Sequence, residues 1–327
     1  MIQSHLRMIA VLGLGLSGRA VCARAQSMGI SFVAHDDRLI ETGAIPPDNI
    51  SLTAPEDWPW EQLDGLVISP GIPHNHPAPH PLAAQAKVAG IPVMSEIEFA
   101  LKTGLAAKFV TITGTNGKST ITALIGHILS EAGCDVAIGG NLGKPISALP
   151  YLPESGIYVA ELSSYQLETT PSLVSDCAVI SNITPDHLDR HDGFDGYVAA
   201  KKNALLSVRV GGLACLGAGA PLDKMTTEVS SDIKCLRLDF SSLNPAAKAV
   251  LSSIDNAALS GPHNTENIIA AFLVCQALDV EPEIICKAAN SFTGLPHRMQ
   301  PVGKSGTISF VNDSKATNAE ATAKALD

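Results

Sequence analysis

Apolar positions along the chain come in short blocks, and the blocks alternate with stretches in which apolar residues recur at helical spacing. A brief unbroken apolar run that stops at Gly or Pro is the signature of a strand buried on both faces of a parallel sheet. Apolar residues repeating every third or fourth position mark one face of a helix. These rules predict strands over 8–12, 30–34, 63–69 and 91–94, with helices over 19–28 and 81–89 between them. A second series follows: a strand over 109–113, a helix with Ile121, Leu124, Ile125, Ile128 and Leu129 on one face, and strands over 157–162, 178–183 and 213–216. The tail past 297 predicts one strand over 307–311 and the start of a helix, too little to fold alone. The fold class is α/β, divided into a domain over 1–95, a mostly parallel central domain over 96–297, and the beginning of a third α/β domain over 298–327.

Composition changes this picture little, but it removes some functions. The formal charge of -10, with no Lys/Arg cluster, argues against nucleic acid and anionic membranes as partners. It does not exclude nucleotides, because backbone amides, one lysine and metal ions can hold a polyphosphate locally. Seven cysteines without a C-x-x-C pair predict reduced thiols, neither a disulfide framework nor a zinc knuckle. Arg7, the apolar run 8–16 and Ala23-Arg24-Ala25 loosely imitate a signal peptide, yet glycines interrupt the run and suit a strand and turn better. The expected location is cytoplasmic.

The sharpest chemistry lies in Gly114-Thr115-Asn116-Gly117-Lys118-Ser119-Thr120, after a strand and before an amphipathic helix. Glycines let backbone fold around an anion, helix-start amides point at phosphate oxygens, Lys118 brings charge, and Ser119 or Thr120 can ligate Mg²⁺. Ile112 stands where the general P-loop pattern wants a glycine, so this is a shortened variant of a P-loop-type ATPase turn. Gly13-Leu14-Gly15-Leu16-Ser17-Gly18 matches G-x-G-x-x-G, with Asp36 and Asp37 after the next strand, and makes the first domain Rossmann-like. Alone it says dinucleotide. Beside a second phosphate loop it says only that the first domain can cradle the diphosphate of some nucleotide.

Glu161 ends a strand, where a carboxylate can reach a metal at the mouth of a parallel sheet. His187 in Thr184-Pro185-Asp186-His187-Leu188-Asp189 is a metal or substrate candidate, though a turn histidine beside acids is more often plain surface. Lys201, next to Lys202, reads from spacing alone as part of a solvated helix face. Asn264 and Asn267 read as helix caps first and nucleotide contacts second. His74, His76 and His80 sit among prolines and do not suggest a metal site. The run Asn312 to Asn318 is either an ordinary turn or a loop lining a site.

Taken together, these motifs resemble the Mur ligases of peptidoglycan synthesis. The order Gly13 to Gly18, Asp36-Asp37-Arg38, Ser69-Pro70-Gly71-Ile72, Ser95 to Glu98, Gly114 to Thr120, Gly139-Gly140-Asn141, Glu161 to Glu168, Asp186 to Asp189, Leu295 to Arg298 and Asn312 to Asn318 is similar to that of its D-glutamate-adding members. The resemblance implies ATP-dependent joining of D-glutamate to UDP-N-acetylmuramoyl-L-alanine through an acyl phosphate, by a monomer using two Mg²⁺ ions. It implies that Gly15, Leu16, Ser17, Gly18, Asp37, Arg38, Ser69 and Gly71 hold the UDP part, and that Asn141 and His187 contact the substrate. It implies ATP contacts at Gly114, Thr115, Asn116, Gly117, Lys118, Ser119, Thr120, Asn264, Asn267, His297, Arg298 and Asp313. Ser119, Glu161, His187 and a carbamylated Lys201 would organise the metals, with Lys118, His187 and Lys201 catalytic, and Lys315 and Thr317 would face the glutamate site. Since only the start of the third domain is in view, the 327 residues are expected to bind the UDP-substrate with little ligase turnover.

Overall fold

A computed structural model describes residues 6–316 and 322 of the chain. Residues 8–94 build a four-stranded, all-parallel sheet in the order β2-β1-β3-β4. Its elements are β1 (Met8–Leu12), α1 (Leu16–Met28), β2 (Ser31–His35), α2 (Asp37–Thr42), β3 (Gly65–Ile68), α3 (Pro81–Val88) and β4 (Val93–Met94). From β1 the chain steps to one neighbour, β2, and then back across to the other, β3. The order of strands therefore reverses at β1 and β3, and a crevice opens beyond their carboxyl ends.

Helix α4 (Glu96–Lys102) leads into a second parallel sheet of six strands, ordered β10-β9-β8-β5-β7-β6. These are β5 (Lys108–Thr113), β6 (Val136–Gly140), β7 (Ile157–Glu161), β8 (Ser175–Ile180), β9 (Val208–Leu216) and β10 (Lys234–Arg237). On one face pack α5 (Lys118–Glu131), α10 (Pro262–Ala277) and α11 (Pro282–Ser291), contributing Ile121, Leu124, Phe272 and Ile285 to one core. On the other face α4, α7 (Phe194–Leu206) and α8 (Ala220–Glu228) bury Ile97, Tyr197 and Leu222 against the same strands. Helix α4 also belongs to both halves, since Phe99 packs in the core of the first sheet and Ile97 in that of the second. The shorter helices α6 (Ser164–Glu168) and α9 (Pro245–Ser252) complete the layers.

The parallel α/β class follows the sequence pattern, with differences that have physical causes. Helix α1 begins at Leu16 rather than Arg19, because the glycine turn runs straight into it. Strand β8 covers 175–180 instead of 178–183, because Ser181 turns away to donate to the Asn116 carbonyl. Strand β9 is nine residues long, and its glycine-rich start, where the register to β8 shifts, hid it from an apolar-run criterion. Strands β6 and β10 escaped notice for related reasons: one ends in Gly139-Gly140 and the other is an edge carrying Lys234 and Arg237. The tail forms an antiparallel pair, β11 (Gln300–Ser305) with β12 (Ile308–Asn312), where one strand was expected; Pro301 and Gly303 at a register shift concealed the first. The helix expected after it lies outside the described residues. All seven cysteines are free, and no helix among the described residues is long and apolar enough to cross a membrane.

Candidate functional site

The centre of the second sheet repeats the logic of the first. Strand β5 has β7 on one side and β8 on the other, so its carboxyl end is a point of reversal. All three strands deliver candidate residues there: the Gly114 to Ser119 loop after β5, Glu161 at the end of β7, and the Ser181 to His191 segment after β8. Gly114 has φ +147, and a Cβ there would stand 2.0 Å from Ser181 Oγ; Gly117 has φ +84 and heads α5, against Asn267 Oδ1. Only glycine meets both demands. The loop is tied down by its neighbours: Asn116 N–H donates to Asn182 Oδ1 (2.8 Å), and Thr115 exchanges bonds with Thr184. No side chain caps α5, so its first amides remain available to an anion.

Lys118 folds back to donate to the carbonyls of Gly114 (3.0 Å) and Thr115 (2.7 Å). Burial lowers its pKa, and the nearby Glu161 charge opposes that only partly. Ser119 Oγ donates to Glu161 (2.7 Å), whose other oxygen accepts from Asn141 Nδ2 (2.7 Å). Arg298 reaches in from the far end of the chain and donates to Ser119 Oγ at 2.8 Å. Lys201 corrects the reading made from spacing: it is 2% exposed, not solvated. Its Nζ donates to the Gly114 carbonyl (2.8 Å) and Thr113 Oγ1 (3.3 Å) and lies over the Tyr197 ring. Burial first, and then the charge of Lys118, hold its pKa well below the ordinary lysine value. Lys202 is the partly solvated one, paired with Glu228.

His187, at φ 50, stays exposed beside Asp186 and the Tyr165 ring. Asn264 and Asn267 do not cap a helix. Gly261 is the N-cap of α10, while Asn264 donates to the Ser260 carbonyl and Asn267 donates to Asn264 with its own carbonyl against Gly117. His297 and Asp313 stand together at the base of the terminal hairpin, where Asn312 pairs with His297 and Asp313 accepts from Met299 N–H. Lys315 is exposed and ties its backbone to the His297 carbonyl, and Thr317 lies outside the described residues. A cavity of about 290 Å³ joins Lys118, Asn141, His187 and Lys201 to Pro70 and Gly71 of the first domain. A larger hollow of about 650 Å³ lies at the opposite, amino ends of the strands, beside Lys108 and Asp176. We assign the site to the smaller one, since ligands of parallel sheets bind beyond the carboxyl ends.

In the first domain the three glycines divide their labour. A Cβ on Gly18 would stand 1.9 Å from the Gly13 carbonyl and one on Gly13 would meet Ser69 and Ile72 at 2.8 Å, whereas Gly15 and Gly71 face open space. Helix α1 carries no side-chain cap, so no capping side chain ties up the amides of its first turn. Asp36 is spent internally: one oxygen accepts from Leu14 N–H (2.6 Å) and the other caps α2 at Leu39 N–H (3.0 Å). Asp37 instead lies between His35 (2.9 Å) and His80 (2.7 Å). Burial works against its charge, but hydrogen bonds from the two histidines outweigh that and lower its pKa. Arg38 next to it is exposed. The part played by His80, set among prolines, was not legible in the sequence, and neither was that of Arg190, which reaches the Pro70 and Gly71 carbonyls.

The oxygen donors Ser119 and Glu161 suit a hard cation such as Mg²⁺, which takes few protein ligands and relies on substrate phosphates for the rest. Among the described residues, no cluster of three or more His, Cys, Asp or Glu side chains offers an all-protein cage. Lys201 as an ammonium donates and cannot ligate; to offer a hard cation an oxygen donor its neutral amine would first have to gain a carboxylate.

Residues 112–275 match the Mur ligase middle domain. The chain is 40% identical to the UDP-N-acetylmuramoylalanine–D-glutamate ligases of Rhodospirillum rubrum and Paramagnetospirillum magneticum, across 97% of its own length and 72% and 73% of theirs. Among solved structures it resembles a murein peptide ligase of Psychrobacter arcticus (TM-score 0.58, 17% identity, 98% of this chain and 75% of that one). It also resembles the UDP-N-acetylmuramate–alanine ligase of Thermotoga maritima (TM-score 0.54, 17% identity, 96% and 75%). Identities this low speak for the fold alone.

Proposed function

We infer the reaction from the premise that this chain belongs to the Mur ligase family, ATP-dependent ligases that form amide bonds, and propose that it serves the addition of D-glutamate to UDP-N-acetylmuramoyl-L-alanine. One observation carries the reading: the first domain's Pro70-Gly71 turn and the second domain's Lys118, Asn141 and Lys201 line a single cavity. A substrate whose diphosphate rests on the open amides of Gly15 to Gly18 then has its far carboxylate directed at the ATP phosphate loop. Asp37, Arg38, Ser69 and Gly71 border the nucleotide end of that path in our assignment.

In this reading Gly114 to Thr120 wraps the ATP phosphates, and Lys118 leaves its own loop carbonyls to pair with them. Asn264, Asn267, His297, Arg298 and Asp313 surround the rest of the nucleotide. Ser119, Glu161, His187 and a carbamylated Lys201 would hold Mg²⁺, which would neutralise phosphate charge as the substrate carboxylate takes the γ-phosphoryl group to form the acyl phosphate and ADP leaves. Burial lowers the pKa of Lys201 and so favours its neutral amine, the form that would add carbon dioxide with loss of a proton, and the resulting carbamate would supply the anionic oxygen that an ammonium lacks. Lys118 stabilises charge on the transferring phosphoryl group, the amine of D-glutamate displaces phosphate from the acyl phosphate, and fixing the reactants in register supplies much of the rate. The domain limits at 95 and 297, and Lys315 and Thr317 as residues facing D-glutamate, are part of the same proposal.

Calorimetric titration separates this from a nicotinamide-dependent reading of the first glycine turn. Binding of UDP-N-acetylmuramoyl-L-alanine without binding of NAD is the expected result; NAD binding alone would overturn the assignment.

A further inference from the structure

The contact between the two domains at the cavity mouth is made by Arg190, a residue that carries no part of the chemistry above. Its two terminal nitrogens donate to the Gly71 carbonyl (3.1 Å) and the Pro70 carbonyl (3.3 Å), so the planar guanidinium spans consecutive backbone oxygens of the first-domain turn. Its carbon lies 4.5 Å from the centre of the Tyr165 ring, the geometry of a cation held on a π face. Tyr165 is braced from another side: the ring of His191 stacks on it, 5.1 Å between centres and 7° from parallel. That ring is itself fixed, with Nε2 on Ser164 Oγ (2.8 Å) and Nδ1 on Glu168 (3.2 Å), and Glu168 also faces His74 of the first domain at 3.6 Å.

Other ties between the domains do not involve residues that line this cavity: Arg24 donates to the Ser147 and Leu149 carbonyls, Ser95 N–H donates to the Thr169 carbonyl, and Ser95 Oγ shares a hydrogen bond with Thr170 Oγ1. The Arg190 tie is different, since Pro70, Gly71 and Tyr165 all belong to the cavity wall. It is also an expensive way to gain mere stability. Arg190 Nε is buried without a partner, and a donor left unmade costs free energy that an apolar residue would not incur.

From this geometry we propose that Arg190 is a positioning residue, clamping the Pro70-Gly71 turn so that a substrate anchored in the first domain places its distal carboxylate at the Gly114 to Ser119 loop. The inference rests on the ligase reading. It requires that Arg190 matter to ligands that reach across both domains and not to ligands that stay in one.

The test is calorimetry on wild type, Arg190→Ala and Arg190→Lys with two ligands, UDP and UDP-N-acetylmuramoyl-L-alanine, alongside thermal melts. The readout is the ratio of the two affinities, the part of binding gained by reaching the central cavity. In Arg190→Ala this ratio falls by tenfold or more while UDP affinity stays within twofold. Arg190→Lys, with one point charge for two carbonyls, keeps an intermediate ratio, and it carries the test should the alanine variant not fold. An unchanged ratio in a folded variant, or an equal loss for both ligands, would overturn the clamp. Failure of wild type to bind the whole substrate would instead overturn the ligase reading, so the two failures are distinct.

Discussion

The chain holds two glycine turns in the same setting, and they differ in one respect that decides their chemistry. Both follow a central parallel strand at a point of reversal, and both open a helix that no side chain caps. The turn at 13–18 contains no cation, and its nearest acid, Asp36, holds the turn itself together through Leu14 N–H. The turn at 114–119 carries Lys118, a hydroxyl on Glu161, and Lys201 pressed against its backbone. A turn of the first kind can bind a diphosphate through amides and hold it. A turn of the second kind can also compensate charge that develops as a phosphoryl group moves. The lesson for the G-x-G-x-x-G pattern is that it reports a backbone shape; the acid that would read a ribose is spent on the loop.

The largest expected effect separates the turns by charge. Lys118→Ala removes the cation, and affinity for a non-hydrolysable ATP analogue should fall roughly ten- to a hundredfold, about 1.5–3 kcal/mol for a charged hydrogen-bonding partner. Affinity for UDP-N-acetylmuramoyl-L-alanine should change little; equal losses for both ligands in calorimetry would break the division.

Next comes the backbone of the first turn. Gly18→Ala drives a Cβ to 1.9 Å from the Gly13 carbonyl, which cannot yield, so about 1–3 kcal/mol of stability should be lost in urea unfolding. Gly15→Ala meets nothing within 4 Å and should leave stability unchanged while weakening the UDP ligand. Matching stabilities would show that the glycines are not divided as described.

Lys201 gives a smaller effect with a distinctive pH dependence. Its folded pKa lies below the ordinary 10.5, so between the two values the unfolded chain binds more protons and wild-type stability rises with pH. Lys201→Met should therefore melt higher than wild type at neutral pH in carbonate-free buffer, on the order of 1 kcal/mol, and lose that gain as pH climbs toward 10.5. A gain that is flat with pH would show that the folded amine is not depressed. Lys202→Ala, one residue on, breaks only the partly exposed pair with Glu228 and should cost less than about 0.5 kcal/mol in the same melts.

Much of this was legible in the sequence, because it is local. Apolar runs and the glycines after them located the central strands and both turns, and the helix face from Ile121 to Leu129 emerged buried as spaced. What stayed hidden depends on partners far along the chain. Lys201 and Lys202 are alike in sequence, and only the packing of α7 over the end of β5 buries one and leaves the other partly solvated. His80 meets Asp37 from 43 residues away, and Arg190 meets Gly71 from 119. Asn264 and Asn267 have the spacing of caps, yet Gly261 takes that position, while Asn267 sets its carbonyl against Gly117 and donates to Asn264. Family resemblance named several of these residues, while the physical reason for each is a long-range contact that no spacing rule contains.

The central claim is that the two turns hold different ligands whose reacting ends meet in one cavity. A crystal structure of the chain with UDP-N-acetylmuramoyl-L-alanine tests it most directly. The account predicts the diphosphate on the amides of Gly15 to Gly18 and the alanyl carboxylate beside Lys118 and Asn141. A diphosphate lodged in the Gly114 to Ser119 loop, or a carboxylate pointing away from it, would contradict the account.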